Sequence, residues 1–283
     1  MTDPVSLIAL GAAVGGIAGK FGEKTWELAE KWLARRYEHH VAAAQATART
    51  NSASFILELA KRVEVIEQKH PETADCINAA QSDPHFSLVL QKAILGSAQT
   101  SDPAKHQLLA DLVSNRLLAK TETTLSLAIG LACDAVPNLT STQLHWLALL
   151  VFLHEIRPRN KYESKATYID WLGVHLRHFK DIEFRDIDIR HLVALGCVTY
   201  DPTSERSLPV LFTMKNGVVT DEFMAALDNF VDSDACFTLK FAWVEGLAGV
   251  DLTSVGSVIG GHVWSTLTGR PSELPSWAGD EDT

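Results

Sequence analysis

SDPHFSLVLQKAILGSAQTSDPAKHQLLADLVSNRLL, residues 82–118, decides the fold class, because it carries one signal twice. Ser82-Asp83-Pro84 and Ser101-Asp102-Pro103 each offer a capping side chain followed by a proline preset for the first helical position. Apolar residues follow each signal, in the second case Leu108, Leu109, Leu112, Leu117 and Leu118. The pattern predicts one helix from Pro84 to about Ala98 and another from Pro103, joined by a short turn.

The same grammar extends in both directions. Asn51 or Ser52 predicts a helix start, with Phe55, Leu59, Val63 and Ile66 as its buried stripe and His70-Pro71 as its stop. A short helix is expected after Pro71. Thr123–Val136 continues the helical pattern, Pro137-Asn138 ends it, and Leu139-Thr140-Ser141 caps the strongly apolar helix Gln143–Ile156. Beyond Pro158 the character changes. Tyr168–His178 and Asp186–Leu195 read as helices, Gly196 as a stop, Cys197–Tyr200 as a strand, Asp201–Ser204 as a turn and Leu208–Met214 as a second strand. Asp221–Val231 is expected to be helical, and strict alternation of Phe237, Leu239, Phe241 and Trp243 predicts a further strand. Thr253 then caps a last helix carrying Val255, Ile259, Val263 and Leu267. The expected fold is mainly α: an N-terminal helical bundle followed by a winged-helix-like α+β part. The expected domains are residues 1–50 (a glycine-rich apolar helix, then an amphipathic one), 51–157 (bundle), 158–268 (winged-helix-like) and 269–283 (a disordered acidic tail).

The N-terminus is unusual. No charge falls between Asp3 and Lys20, and Gly11, Gly15 and Gly19 stand four apart. Each glycine inside a helix costs about 0.5–1 kcal/mol relative to alanine, a cost offset where two helix backbones approach closely. The run lacks the basic leader of a secretory signal. As a membrane span it is short, since sixteen helical residues reach about 24 Å against a hydrocarbon core of about 30 Å. Trp26, Ala29, Leu33 and Tyr37 form an apolar stripe with Trp32 beside it, and Gly19 and Gly22 mark the expected hinge between the two helices, a single long helix being the alternative. Contact with another molecule, a second copy of the chain or a membrane, is expected at Leu7, Leu10, Gly11, Val14, Gly15, Gly19, Trp26 and Trp32.

Composition bounds the remaining choices. A chain of 283 residues that is 46% hydrophobic and 21% charged can bury one large or two medium cores, which excludes wholesale disorder. The net charge of -10 is uneven: Asn216–Thr283 holds eleven acids against two bases, Lys240 and Arg270. That quarter argues against a nucleic-acid footprint and fits either a solvated acidic face or a basic partner. Cys76, Cys133, Cys197 and Cys236 form no CxxC and sit among apolar neighbours, as free thiols do in a reducing cytosol.

No phosphate loop, nucleophile elbow, HExxH or zinc framework is present. His175 and His178 share a helix near Asp170 and Asp181, but a metal site needs a third ligand, so no metal and no cofactor is expected. His39-His40, His145 and His154 read as surface, core or interface histidines, and no catalytic residue is assigned. In a winged-helix reading, Arg185, Arg190 and His191 are the candidate partner or nucleic-acid contacts. Asp186 and Asp188 on the same helix would repel phosphates, so nucleic acid is disfavoured.

Asp83-Pro84, the run Val136-Pro137-Asn138-Leu139-Thr140-Ser141-Thr142-Gln143-Leu144 and the run Ile189–Gly196 together resemble an uncharacterised bacterial protein family across residues 83–262. The closing segment Leu252–Gly260 resembles the last helix of many winged-helix proteins. The resemblance carries no catalytic residues to transfer. It implies a setting among bacterial immunity loci, and the glycine-rich N-terminus departs from the family's pattern. The functional expectation is a non-enzymatic bacterial protein that self-associates or engages membrane through its N-terminal glycine-zipper helix, with a partner-sensing C-terminal half and a role in anti-phage defence. It is expected in the cytoplasm, or peripheral to the inner membrane. The alternatives are a cytosolic winged-helix regulator that binds nucleic acid or protein, and an enzyme with a dispersed site.

Overall fold

A computed structural model describes residues 16–69, 73–119, 122–204, 206–217 and 220–269. The N-terminal residues 1–15 and residues 270–283 of the expected tail lie outside the described residues. Thirteen α-helices and one two-stranded sheet are described, so the chain is mainly helical. It divides into two compact units after Asn138. Helix Ser141–His154, read from sequence as part of the bundle, therefore belongs to the second unit.

The first unit holds α1 (Gly16–Arg36), α2 (Ala42–Lys69), α3 (Thr73–Ser82), α4 (Pro84–Ser97), α5 (Pro103–Leu118) and α6 (Thr124–Ala135). The doubled signal does what its chemistry predicts. Asp83 accepts from the His85 amide at 2.8 Å and Asp102 from the Ala104 amide at 2.9 Å, each with its proline in the first turn. The long α2 packs against α1, α4 and α5, burying Phe55, Ile56, Leu59, Ala60 and Val63.

Two expected boundaries are corrected. α1 runs unbroken through Gly19 and Gly22, and α2 runs unbroken through Asn51 and Ser52; the break falls at residues 37–41 instead. Asn51 and Ser52 look like caps in sequence, but their side chains turn to α4. Asn51 Nδ2 donates to the Ala98 carbonyl (3.2 Å) and Ser52 Oγ to the Ile94 carbonyl (3.3 Å). His106 Nε2 lies 2.8 Å from the Thr100 carbonyl. These polar groups, buried or nearly so, add bonds to carbonyls at and just beyond the end of α4, where Ile94 also accepts from the Ala98 amide. Arg116 on α5 is buried and reaches Asp83 Oδ2 at 2.7 Å, tying the cap of α4 to α5. Burial works to raise the Asp83 carboxyl, but the His85 amide and the Arg116 guanidinium together hold it below the usual range.

The second unit holds α7 (Ser141–His154), α8 (Lys165–Leu176), α9 (Asp186–Ala194), β1 (Val198–Tyr200), α10 (Leu208–Asn216), α11 (Asp221–Val231), α12 (Phe237–Val244), β2 (Val250–Leu252) and α13 (Ser254–Thr268). α7 opens with a reciprocal capping box between Thr140 and Gln143, and everything from Trp146 to Leu153 is buried. A helix that is apolar all round must be covered on every side. α13 covers one side so closely that a Cβ on Gly260 would lie 2.5 Å from the Leu147 carbonyl oxygen.

Both further strands expected after β1 are corrected to helices. β1 pairs antiparallel with β2, Val198 opposite Leu252, and not with residues 208–214. That segment is α10, because Pro209 suits a first turn, Thr213 Oγ1 bonds back to the Pro209 carbonyl (2.8 Å), and Gly217 closes the helix at φ 69°. Leu208, Phe212, Lys215 and Asn216 make its buried stripe. The alternating run is α12, which buries Leu239, Ala242 and Trp243.

Candidate interaction surfaces

The N-terminal contact set divides at the edge of the described residues. Leu7, Leu10, Gly11, Val14 and Gly15 lie outside them. Gly19 and Trp26 are buried in the first unit and Trp32 is half-buried beside them. α1 packs on α2, where a Cβ on Gly22 would stand 3.4 Å from the Ala60 Cβ, an ordinary van der Waals contact. The first turn of α1 is capped from α2. The Glu67 carboxylate accepts from the amides of Ile17 (3.4 Å) and Ala18 (3.2 Å), an anion at a helix N-terminus where the dipole favours it. No described helix is long and apolar enough to cross a membrane.

On α9 the three candidate contacts are present, but each faces a partner of its own. Arg185 makes two bonds to Asp188, at 2.8 and 3.1 Å, and Asp188 also accepts from Gln143 at 2.9 Å. The side-chain bond to Asp188 raises the Arg185 pKa. Arg190 is paired with Asp186 at 2.6 Å, and His191 Nδ1 lies 3.2 Å from Gln143 Oε1. A phosphate would have to displace acids already seated on both arginines, and on Arg185 that acid is buried and fixed by Gln143. The Arg185–Asp188–Gln143 network anchors α9 to the start of α7.

The histidines do not converge on a ligand. No group of three or more His, Cys, Asp or Glu side chains among the described residues is placed to hold a metal. His175 is buried, stacked 5.5 Å from Phe152 and 5.4 Å from Trp264, with Nδ1 2.6 Å from the Trp171 carbonyl. Burial lowers the His154 pKa to about 4, with a smaller opposing effect from Asp251, so this ring is neutral at physiological pH. Burial pushes the thiols of Cys133 and Cys236 up to about 12 and that of Cys197 to about 11. A nucleophilic or metal-binding cysteine needs the opposite shift.

Two features of the second unit were missed in the sequence. The first is Lys215 on α10, a lysine buried in an aromatic core. Its ammonium donates to the Phe152 carbonyl at 2.5 Å and to the Ile156 carbonyl, and lies 5.0 Å above the Phe152 ring. Burial lowers its pKa to about 7, reinforced by Arg157, while the two carbonyls and the ring face favour the charged form. The amine replaces the partner that the end of α7 lacks. Only the spacing of Lys215 from Leu208 and Phe212, i+7 and i+3, could have signalled that it points inward.

The second is the outward face of α12. Phe237, Phe241 and Val244 are 71%, 52% and 76% exposed, three large apolar side chains at i, i+4 and i+7. Beneath them Trp243 donates from Nε1 to the Arg206 carbonyl at 2.6 Å and Thr238 Oγ1 to the Lys180 carbonyl at 2.7 Å, so the inner face is fixed while the outer one is bare. In the first unit, Leu88 on α4 and Leu127 and Leu131 on α6 are also about half-exposed, but there Lys92 and Asp134 bridge the two helices at 2.5 Å.

A protein-family model matches residues 19–240, from the second turn of α1 to the middle of α12. The family is uncharacterised. No curated protein and no solved structure matches the chain.

Proposed function

The chain belongs to the uncharacterised family matched over residues 19–240, and from that premise we propose that it is a non-enzymatic protein that self-associates through its N-terminal apolar run and takes a protein partner on its second unit. The observation that carries this reading is the burial of Gly19 and Trp26 within the first unit. Gly19, the last glycine of the row, is buried. Residues 4–15, with Gly11 and Gly15, are uncharged and rich in small residues, the composition that close helix–helix contact uses. This run precedes the family match, which begins at residue 19. Lys20, Glu23, Lys24 and Glu27 follow at once along α1, which favours a second chain over lipid as the contact. The pairing of Arg185 and Arg190 with acids supports a protein rather than a nucleic acid as the other partner.

The test is the solution mass of the full chain beside Gly15→Leu and Gly11→Leu, with liposome co-sedimentation in parallel. Self-association predicts an oligomer that falls to monomer in both variants. An unchanged mass in both refutes the proposal. A monomer whose liposome binding is abolished by the substitutions transfers the role to membrane contact and refutes self-association.

A further inference from the structure

We infer that the outward face of α12 is a docking site for a basic amphipathic segment of a partner protein; the inference rests on the partner half of the reading above and gives that partner its chemistry. An exposed helix face bearing two phenylalanines and a valine is not explained by the packing of its own unit, since Leu239, Ala242 and Trp243 already supply the inward contact. Aromatic side chains held on a rigid base are the kind that anchor interfaces.

Charge decides between occupants. Asp234 stands one turn before Phe237 and Glu245 one turn after Phe241, both exposed, so each end of the apolar stripe carries an acid. Between Asp221 and Glu245 there are six acids and one base, and that base, Lys240, is held by Asp232. A second copy laid on this face would set acid against acid whether the helices ran parallel or antiparallel. An anionic lipid surface would be repelled in the same way. A helix with apolar residues over about 10 Å of its length and bases about 16 Å apart would cover the stripe and meet both acids.

The experiment measures binding of labelled 14-residue peptides to the full chain by fluorescence anisotropy. One peptide places leucine and lysine on opposite helical faces, one has the same composition scrambled so that no apolar face forms, and one replaces lysine by glutamate. The Leu/Lys peptide should bind, weaken with salt, and lose about tenfold or more in affinity when Phe237→Ser and Phe241→Ser are combined. Asp234→Asn with Glu245→Asn should weaken it severalfold and flatten its salt dependence. All four positions are exposed, so the variants test the surface rather than the fold. Absence of binding, equal binding of the scrambled or acidic peptide, or indifference to the phenylalanine pair each overturns the inference. Loss of oligomer mass in the phenylalanine variant without peptide binding makes a second copy the occupant and overturns it as well. The Gly15→Leu chain should bind the peptide normally even where it no longer assembles, so failure at α12 is distinguishable from failure of the N-terminal contact.

Discussion

Gly260 and Gly261 are neighbours on α13, and the same substitution at each should move stability in opposite directions. A Cβ at Gly260 would lie 2.5 Å from the Leu147 carbonyl oxygen and 2.7 Å from Val151 Cγ2. Carbon to carbonyl oxygen contacts sit near 3.3–3.6 Å, so Gly260→Ala must push α13 and α7 apart by about 0.8–1 Å. Val151 has a side chain that can shift, but the Leu147 oxygen is backbone in the middle of a buried helix. Overpacking of this kind costs about 1–3 kcal/mol, and alanine returns about 1 kcal/mol in helix propensity. With backbone as the obstacle the upper part of that range applies, and the net effect is a loss of about 1–2 kcal/mol. At Gly261 a Cβ would meet nothing within 4 Å. Gly261→Ala should therefore stabilise by about 0.5–1 kcal/mol through the unfolded chain and the helix. For a unit of this size each kcal/mol moves the midpoint by about 2–4 °C, which puts the two variants at least about 3 °C apart. Thermal unfolding followed by tryptophan emission is the assay, since four of the seven tryptophans (Trp146, Trp171, Trp243 and Trp264) lie among the described residues of the second unit. If both variants shift the same way by the same amount, helix propensity alone decides, and Gly260 does not set the α7–α13 crossing.

Three further outcomes follow from other residues. Asp83→Ala should cost about 3–5 kcal/mol in urea unfolding, because it leaves buried Arg116 without its carboxylate, whereas Asp102→Ala removes a helix cap and should cost about 1 kcal/mol; equal costs would show that the Arg116 pair adds nothing. Asp83 also titrates below its ordinary value in the fold, so its contribution is present above the unfolded carboxyl pKa and is lost as pH falls through the folded one. Lys215 has the same sign in a higher pH window. Its folded pKa near 7 lies below the ordinary lysine value, so the unfolded chain binds the extra proton between the two, and the wild type should gain stability relative to Lys215→Met as pH rises from about 7 to about 10. A difference that stays constant from pH 6 to 9.5 would mean that the carbonyl pair keeps the amine charged throughout. In the folded chain a thiol reagent at pH 8 should modify half-buried Cys76 first and reach Cys133, Cys197 and Cys236 after denaturation; a second fast thiol would contradict their burial.

What sequence disclosed and what it hid follow from how local each signal is. Asp83-Pro84, Asp102-Pro103, Thr140 and Thr253 act on amides two or three residues away, and each caps the helix expected of it. Asn51 and Ser52 belong to the same chemical class, but their partners are carbonyls more than forty residues away, so as local caps they misled. The two strand expectations failed for a different reason. Alternation assigns a strand only where one set of residues is buried and the other is solvated, and α12 is apolar on both sides. Its inner set follows helical spacing, and its outer set, Phe237, Phe241 and Val244, blurs the period because it too is hydrophobic. The misreading and the candidate site thus have one origin: a second apolar face that the unit's own packing does not require. The acidity that sequence assigned to the last quarter, without a place for it, gains one at the ends of that face, at Asp234 and Glu245. A stretch whose pattern satisfies two secondary structures at once is a place to look for surface kept free for another molecule.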